Sequence, residues 1–190
     1  LPRRLLYVVN RRTVVDQATD IANKIADAME KDRTLLGEKI KALGGLAVST
    51  LRGQRADNGE WSANLARPAI VVGTVDMIGS RLLFSGYGRG FKHRPLHAGF
   101  LGQDVLLIHD EAHLEPAFQK LLDAIKDEQT RCKEFSTFHM LPLTATTRGN
   151  SPRPFTLDNE DEQHKLVQQR VEAEKTLILH PFSDEKKTAE

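Results

Sequence analysis

Two adjacent carboxylates close a short aliphatic run: Val105-Leu106-Leu107-Ile108-His109 leads into Asp110 and Glu111, then Ala112 and His113. Four aliphatics in a row read as a buried strand, and ligands of open α/β sheets collect at the carboxyl ends of strands. The chemistry such a pair serves is nucleotide hydrolysis. An aspartate at a strand end holds Mg²⁺ beside the phosphates, and a second group positions the attacking water. Asp110 suits the first task and Glu111 the second, while His113 is placed to couple the nucleotide to the rest of the molecule. An acid pair after a strand is by itself a common exposed turn. The full Asp-Glu-Ala-His behind four aliphatics is much rarer by chance.

Other residue types are less specific. Leu141-Pro142-Leu143-Thr144-Ala145-Thr146 reads as a strand leaving two hydroxyls either side of an alanine. Thr144 and Thr146 can hydrogen-bond a nearby carboxylate or histidine and relay its state; alone they would be an ordinary Thr-rich turn. His109-Asp110 is also a His-Asp dipeptide, as in metal-dependent phosphohydrolases. Such sites need further histidines and an aspartate on surrounding helices, whereas this dipeptide closes a strand. Cys132 and His139 lack zinc-ligand spacing. Gly86, Gly88 and Gly90 neither follow a strand nor open a helix, so they read as a loop. Trp61 sits in a polar stretch, where packing beneath the loop is favoured over stacking on a base.

Positioning these groups requires a set of short strands alternating with helices. Strands are expected at Leu5 to Val9, Leu46 to Leu51, Ala69 to Val72 with Gly73 ending it, Asp104 to His109, Phe138 to Leu143, and Thr176 to Leu179. Val14, Ala18, Ile21, Ala22, Ile25 and Met29 recur at helical spacing, so a helix runs to about Lys31, with Thr13 and Asp16 at capping-box spacing. Thr74 to Phe84 is expected to be helical. Pro116 suits a first helical turn with Phe118, Leu121, Leu122 and Ile125 behind it, and Glu160 to Ala173 reads as a charged helix. Gly53 to Pro68, Ser85 to Gly102 (five glycines and a proline) and Asn150 to Pro154 are expected connections. The alternation implies an α/β domain with a mostly parallel sheet.

A chain of 190 residues supports one domain with a real core. No apolar run approaches the roughly 18 residues of a membrane helix, and a single cysteine excludes an internal disulfide, fitting a reducing, cytoplasmic setting. The net charge of +1 says nothing about partners. Its distribution says more: Met77 to Gln103 holds no acid but Arg81, Arg89, Lys92 and Arg94, and from Leu157 onward acids outnumber bases. A basic middle permits a local anionic partner, and equally a solvated loop.

Asp110-Glu111-Ala112-His113 and Thr144-Ala145-Thr146 resemble motifs II and III of superfamily-two helicases. Asn10-Arg11-Arg12-Thr13 resembles motif Ia, and Gly73-Thr74-Val75-Asp76 the next nucleic-acid-contact motif. More narrowly, the chain resembles the helicase part of the type I CRISPR interference helicase-nuclease. That likeness rests on Tyr7 to Gln17, Thr50-Leu51-Arg52-Gly53 and Gly73 to Phe84, and it covers most of the chain. The resemblance implies a RecA-like domain, ATP and Mg²⁺ as cofactors, single-stranded DNA as the track, and recruitment to a target-bound CRISPR surveillance complex. It also implies that residues 1–155 are a partial first RecA-like domain whose phosphate-loop unit lies before them, and that 156–190 are a helix and strand leading toward a second such domain. The sequence departs from the family in having Asn10 where many helicases have proline, and no Gly-x-x-x-x-Gly-Lys-Thr loop.

Loops after parallel strands offer N–H groups and hydroxyls to phosphate oxygens. The resemblance accordingly places Arg11, Arg12, Arg52, Gly53 and Thr74 against nucleic acid. Arg11 and Arg12 have a separate argument: positive charge at a helix start opposes the helix dipole and needs another reason to be there. Two further readings remain at this level. One is a non-catalytic module that keeps the fold and binds DNA or a partner without turnover; the other is a DEAH RNA helicase of another branch.

Overall fold

A computed structural model describes residues 2–52, 59–86, 90–135, 138–144 and 157–174. Five strands carry the sheet: β1 (Arg4–Val9), β2 (Ala47–Leu51), β3 (Ala69–Thr74), β4 (Val105–His109) and β5 (Phe138–Pro142). All pairings are parallel, in the order β2-β3-β1-β4-β5. β3 and β4 are short apolar runs and β1 is one after Arg4, whereas β2 carries Ser49 and Thr50 and the edge strand β5 buries only Phe138. The arrangement is an α/β fold, Rossmann/RecA-like in kind.

The sheet divides its side chains by strand alternation. Leu6 and Val8 point to one face with Val71, Leu107, Phe118 and Trp61. Val9 and Val72 point to the other, where Val15 and Ala22 of α1 (Arg12–Lys31) cover them and Tyr7 packs at the edge of the cluster. The first face is covered by α4 (Val75–Leu82), α5 (Arg94–Gly102) and α6 (Pro116–Cys132). From β1 the chain moves to the β2 and β3 side; from β4 it moves to β5. The connections therefore diverge between β1 and β4, and a crevice at their carboxyl ends is where such sheets hold ligands.

Several expectations need correction. The Thr13/Asp16 capping box does not form: Arg11 is the N-cap without a side-chain cap bond, so Thr13 lies inside the first turn. Gly73 does not end β3, which runs through Thr74. A Cβ at Gly73 would meet Ile78 Cγ1 and the Leu51 carbonyl at 3.0 Å, so the glycine serves close packing. The expected connection at 85–102 contains α5, which starts with Pro95 in its first turn, and a 3₁₀ turn at Phe91–His93 precedes it. Two helices interrupt other connections: α2 (Leu35–Ala42), capped by Thr34, and the short α3 (Glu60–Ala63). Trp61 of α3 is buried against Phe100 and His97, which settles its role as packing. Phe84, expected at the end of α4, stands two residues past it with φ of 58°.

The unit Leu1–Gly149 holds the sheet, and Asn150–Glu190 forms a second unit. In the latter the expected single helix is two, α7 (Asn159–Gln163) and α8 (Lys165–Val171). Asp158 caps α7 in a capping box, and His164 between them has extended φ and ψ and caps α8. The expected strand at Thr176 to Leu179 and the loop at Asn150 to Pro154 lie outside the described residues. Among the described residues no helix is long and apolar enough to cross a membrane.

Candidate nucleotide site at the crevice between β1 and β4

The backbone fixes the acid pair before any side chain acts. β4 ends at His109, and the Asp110 N–H donates to the Val8 carbonyl at 2.9 Å, carrying the β1–β4 ladder one residue beyond the strand. Leu143 N–H donates to the His109 carbonyl at 2.8 Å, and Ala112 N–H to the Leu143 carbonyl at 2.9 Å, which ties the turn to the end of β5. Between these anchors Glu111 takes a left-handed conformation, φ 52° and ψ 43°. A non-glycine residue there costs on the order of 1 kcal/mol or more and persists only where its surroundings hold it. Here the anchors on both sides do so, and the turn leaves the Glu111 side chain 54% exposed above the sheet.

Both Asp110 oxygens are oriented. Oδ2 accepts from the Tyr7 hydroxyl at 2.9 Å, and Oδ1 accepts from the Glu111 N–H at 3.0 Å. Tyr7 belongs to β1, so this bond spans the crevice where the chain connections diverge. Its phenol is pushed up to about 12, first by burial, then by the bond to Asp110 and the charges of Asp110 and Glu111. Next to the pair, His113 Nδ1 lies 3.4 Å from Glu111 Oε2 and 3.1 Å from Thr144 Oγ1. A neutral Nδ1 accepts from the threonine hydroxyl, whereas a protonated one donates to either oxygen. One imidazole nitrogen therefore stands between the carboxylate and the end of β5.

Behind the site His109 is fully buried, with Nδ1 3.0 Å from Gln119 Oε1 and its ring edge-on to Phe118 at 5.0 Å. Gln119 donates on to Asp123 at 3.3 Å, so α6 is locked to the end of β4.

The expected residues thus separate into groups. Asp110, Glu111, His113 and Thr144 come together. Ala145, Thr146 and Gly53 lie outside the described residues. Arg11 and Arg12 are exposed at the start of α1. Arg52 is engaged with Asp16, its Nη1 2.6 Å from Asp16 Oδ1. Thr74 is only 7% exposed, so its side chain offers little to a ligand. Tyr7 and Gln119 join the site without a motif of their own, and His109, weighed in the sequence only as half of a His-Asp dipeptide, serves as a buried brace. The one signal for Tyr7 is a phenol inside an otherwise apolar strand, where a buried hydroxyl needs a partner.

Among the described residues no group of three or more His, Cys, Asp or Glu could enclose a metal ion. Mg²⁺ does not require one: it is commonly held by one or two carboxylates with phosphate and water completing its shell. Asp110, with one bond on each oxygen and lone pairs to spare, fits that role. The chain matches no protein-family model, no curated protein and no solved structure.

Proposed function

We propose that this chain is part of the first motor domain of an ATP-dependent DNA translocase, of the helicase kind that serves CRISPR antiviral defence. The observation that carries the reading is the convergence of Asp110, Glu111, His113 and Thr144 at the carboxyl ends of β4 and β5, beside the β1–β4 crevice. In this reading Asp110 holds Mg²⁺, which offsets phosphate charge when bound. Glu111 orients and deprotonates the attacking water. His113 and Thr144 sense the occupancy of that position and pass it to the end of β5. Single-stranded DNA runs over the loops after β1, β2 and β3, where Arg11 and Arg12 supply phosphate contacts. A target-bound CRISPR surveillance complex is the partner that delivers the DNA. The reading requires a phosphate-binding loop and a second motor domain from sequence outside these 190 residues, which contain no Gly-x-x-x-x-Gly-Lys-Thr stretch.

The test uses a protein that includes that loop. Glu111→Gln should retain ATP binding and lower turnover by about 10² to 10⁴, the contribution of a positioned base. Unchanged turnover would remove Glu111 from the chemistry. A second reading, a DNA- or partner-binding module without turnover, draws on one observation: Arg11 and Arg12 are exposed at the start of α1 and need no nucleotide to meet a phosphate. Full-length protein that binds DNA but releases no phosphate would decide for it.

A further inference from the structure

The amino ends of the strands lie at the opposite edge of the sheet from Asp110, and there the surface forms a cavity of about 320 Å³. Arg3 and Arg4 line it at the start of β1, with Asp104 ahead of β4, Leu65 ahead of β3, and Leu96 and Phe100 of α5. Both guanidiniums lean on a single acceptor. Arg3 Nη1 and Arg4 Nη2 donate to the Leu65 carbonyl at 3.3 and 3.2 Å. Arg4 is 4% exposed and lies over the Phe100 ring, 4.4 Å from its centroid. Its Nε has no hydrogen-bond partner. Burial lowers its pKa from the ordinary arginine value; Arg3 lowers it further and Asp104 opposes both. Asp104 Oδ2 stands 3.7 Å from Arg3 Nε, and its Oδ1 is taken by the Arg3 N–H at 3.2 Å.

Among the described residues, two cations therefore share one carbonyl and one carboxylate, which leaves the cavity with one positive charge uncompensated by them. A buried cation is ordinarily paired, so the wall asks for an anion. The apolar part of the lining is equally incomplete: Leu65 is 63% and Leu96 47% exposed. A ligand that completes both would carry a negative group and a hydrocarbon body. Asp104 limits the charge, because a phosphate of about −1.5 to −2 would face it across the same cavity. The volume limits the body, since ligand pockets begin at about 300 Å³.

We propose that this cavity binds a small monocarboxylate with a short apolar body, the carboxylate against Arg3 and Arg4 and the hydrocarbon against Leu65, Leu96 and Phe100. The site lies at the opposite strand ends from the Asp110 crevice.

The experiment titrates the 190-residue chain with hexanoate and follows backbone amide shifts, with hexanol and inorganic phosphate as controls. Saturable shifts at residues around Leu65 and α5, absent with hexanol and with phosphate, support the site. Arg3→Gln and Leu96→Asp change partly exposed side chains and so keep the fold. Each should weaken hexanoate by about tenfold or more, the worth of one charge-assisted contact or of the apolar seat. Arg4→Lys keeps the buried charge but moves its donors, and should weaken hexanoate similarly. Linear, unsaturated shifts overturn the proposal, as does hexanol binding as tightly as hexanoate. Phosphate preferred over hexanoate overturns it too, as do variants that bind hexanoate like the parent chain.

Discussion

The carboxyl ends of β4 and β5 and those of β1 and β2 face the same edge of one sheet, yet they are built differently. After β4 and β5 the polar groups are held by their neighbours: Tyr7, reaching across from within β1, orients Asp110, Asp110 the Glu111 N–H, and His113 sits between Glu111 and Thr144. Just past the ends of β1 and β2 stand three cations. Arg11 and Arg12 are exposed with no partner among the described residues, and Arg52 is held by Asp16 in a surface ion pair. A fixed constellation suits a reaction in which atoms must be placed within fractions of an ångström. Free cations suit a flexible polyanion whose phosphates need charge more than position. The same strand ends can thus serve two purposes, set by whether the next residues find partners.

If β4 and β5 hold half of a nucleotide site, the half alone should be inert. The 190-residue chain with Mg²⁺, ATP and single-stranded DNA is expected to release no phosphate above background. A phosphate loop supplies the N–H cradle and the lysine that carboxylates cannot replace. An arginine finger from elsewhere would add about 10³ to 10⁵ in rate. Robust turnover abolished by Asp110→Ala would show that the phosphates sit elsewhere than this reading has them.

The cations of the other region should act through charge alone. Arg11→Ala with Arg12→Ala should weaken single-stranded DNA uniformly across sequences. The slope of log affinity against log salt should drop by about 1.4, from about 0.7 per lost phosphate contact on single strands. A sequence-selective loss, or an unaltered slope, would take these arginines out of the DNA path. Asp16→Ala gives a smaller effect of opposite sign. Freeing Arg52 from an exposed ion pair costs the fold no more than about 1 kcal/mol, and DNA should bind a few-fold tighter if Arg52 then reaches a phosphate. Unchanged affinity would leave Arg52 as a surface partner of Asp16.

Much of this contrast was legible in the sequence, for local reasons. Leu5 to Val9 and Val105 to Ile108 announce strands because each is a short unbroken apolar run. Asp110 and Glu111 follow directly from the strand end. What escaped depends on distance or on composition. The Tyr7–Asp110 bond joins residues 103 positions apart. Nothing in either neighbourhood selects the other until the β1–β4 register is set. The α5 helix hides inside a stretch whose glycines argue for a loop, and tertiary burial of His97, Phe100 and Leu101 overrides that propensity. The α2 helix is only eight residues long, short for a periodic signal, although Thr34 marks its start. The Arg52–Asp16 ion pair joins residues 36 positions apart, and nothing local in the sequence selects one for the other.

Tyr7 gives the finest test of the fixed region. Its phenol is raised from about 10 in an unfolded chain to about 12, by burial first and by Asp110 and Glu111 after it. The fold therefore prefers the neutral phenol. That preference is whole below about pH 10 and is lost as pH rises through about 12, because in this window the unfolded chain has released a proton that the folded chain retains. The parent chain should accordingly lose stability relative to Tyr7→Phe across pH 10 to 12, while the two run parallel between pH 6 and 9. Over the lower range the variant is weaker by about 1 kcal/mol, the net worth of one hydrogen bond. Urea unfolding at stepped pH measures both quantities. Taking the difference between the two proteins cancels the lysine and arginine titrations they share. A difference curve that stays flat to pH 12 would mean that Tyr7 does not hold Asp110 in solution. The first region would then be no more rigid than the second.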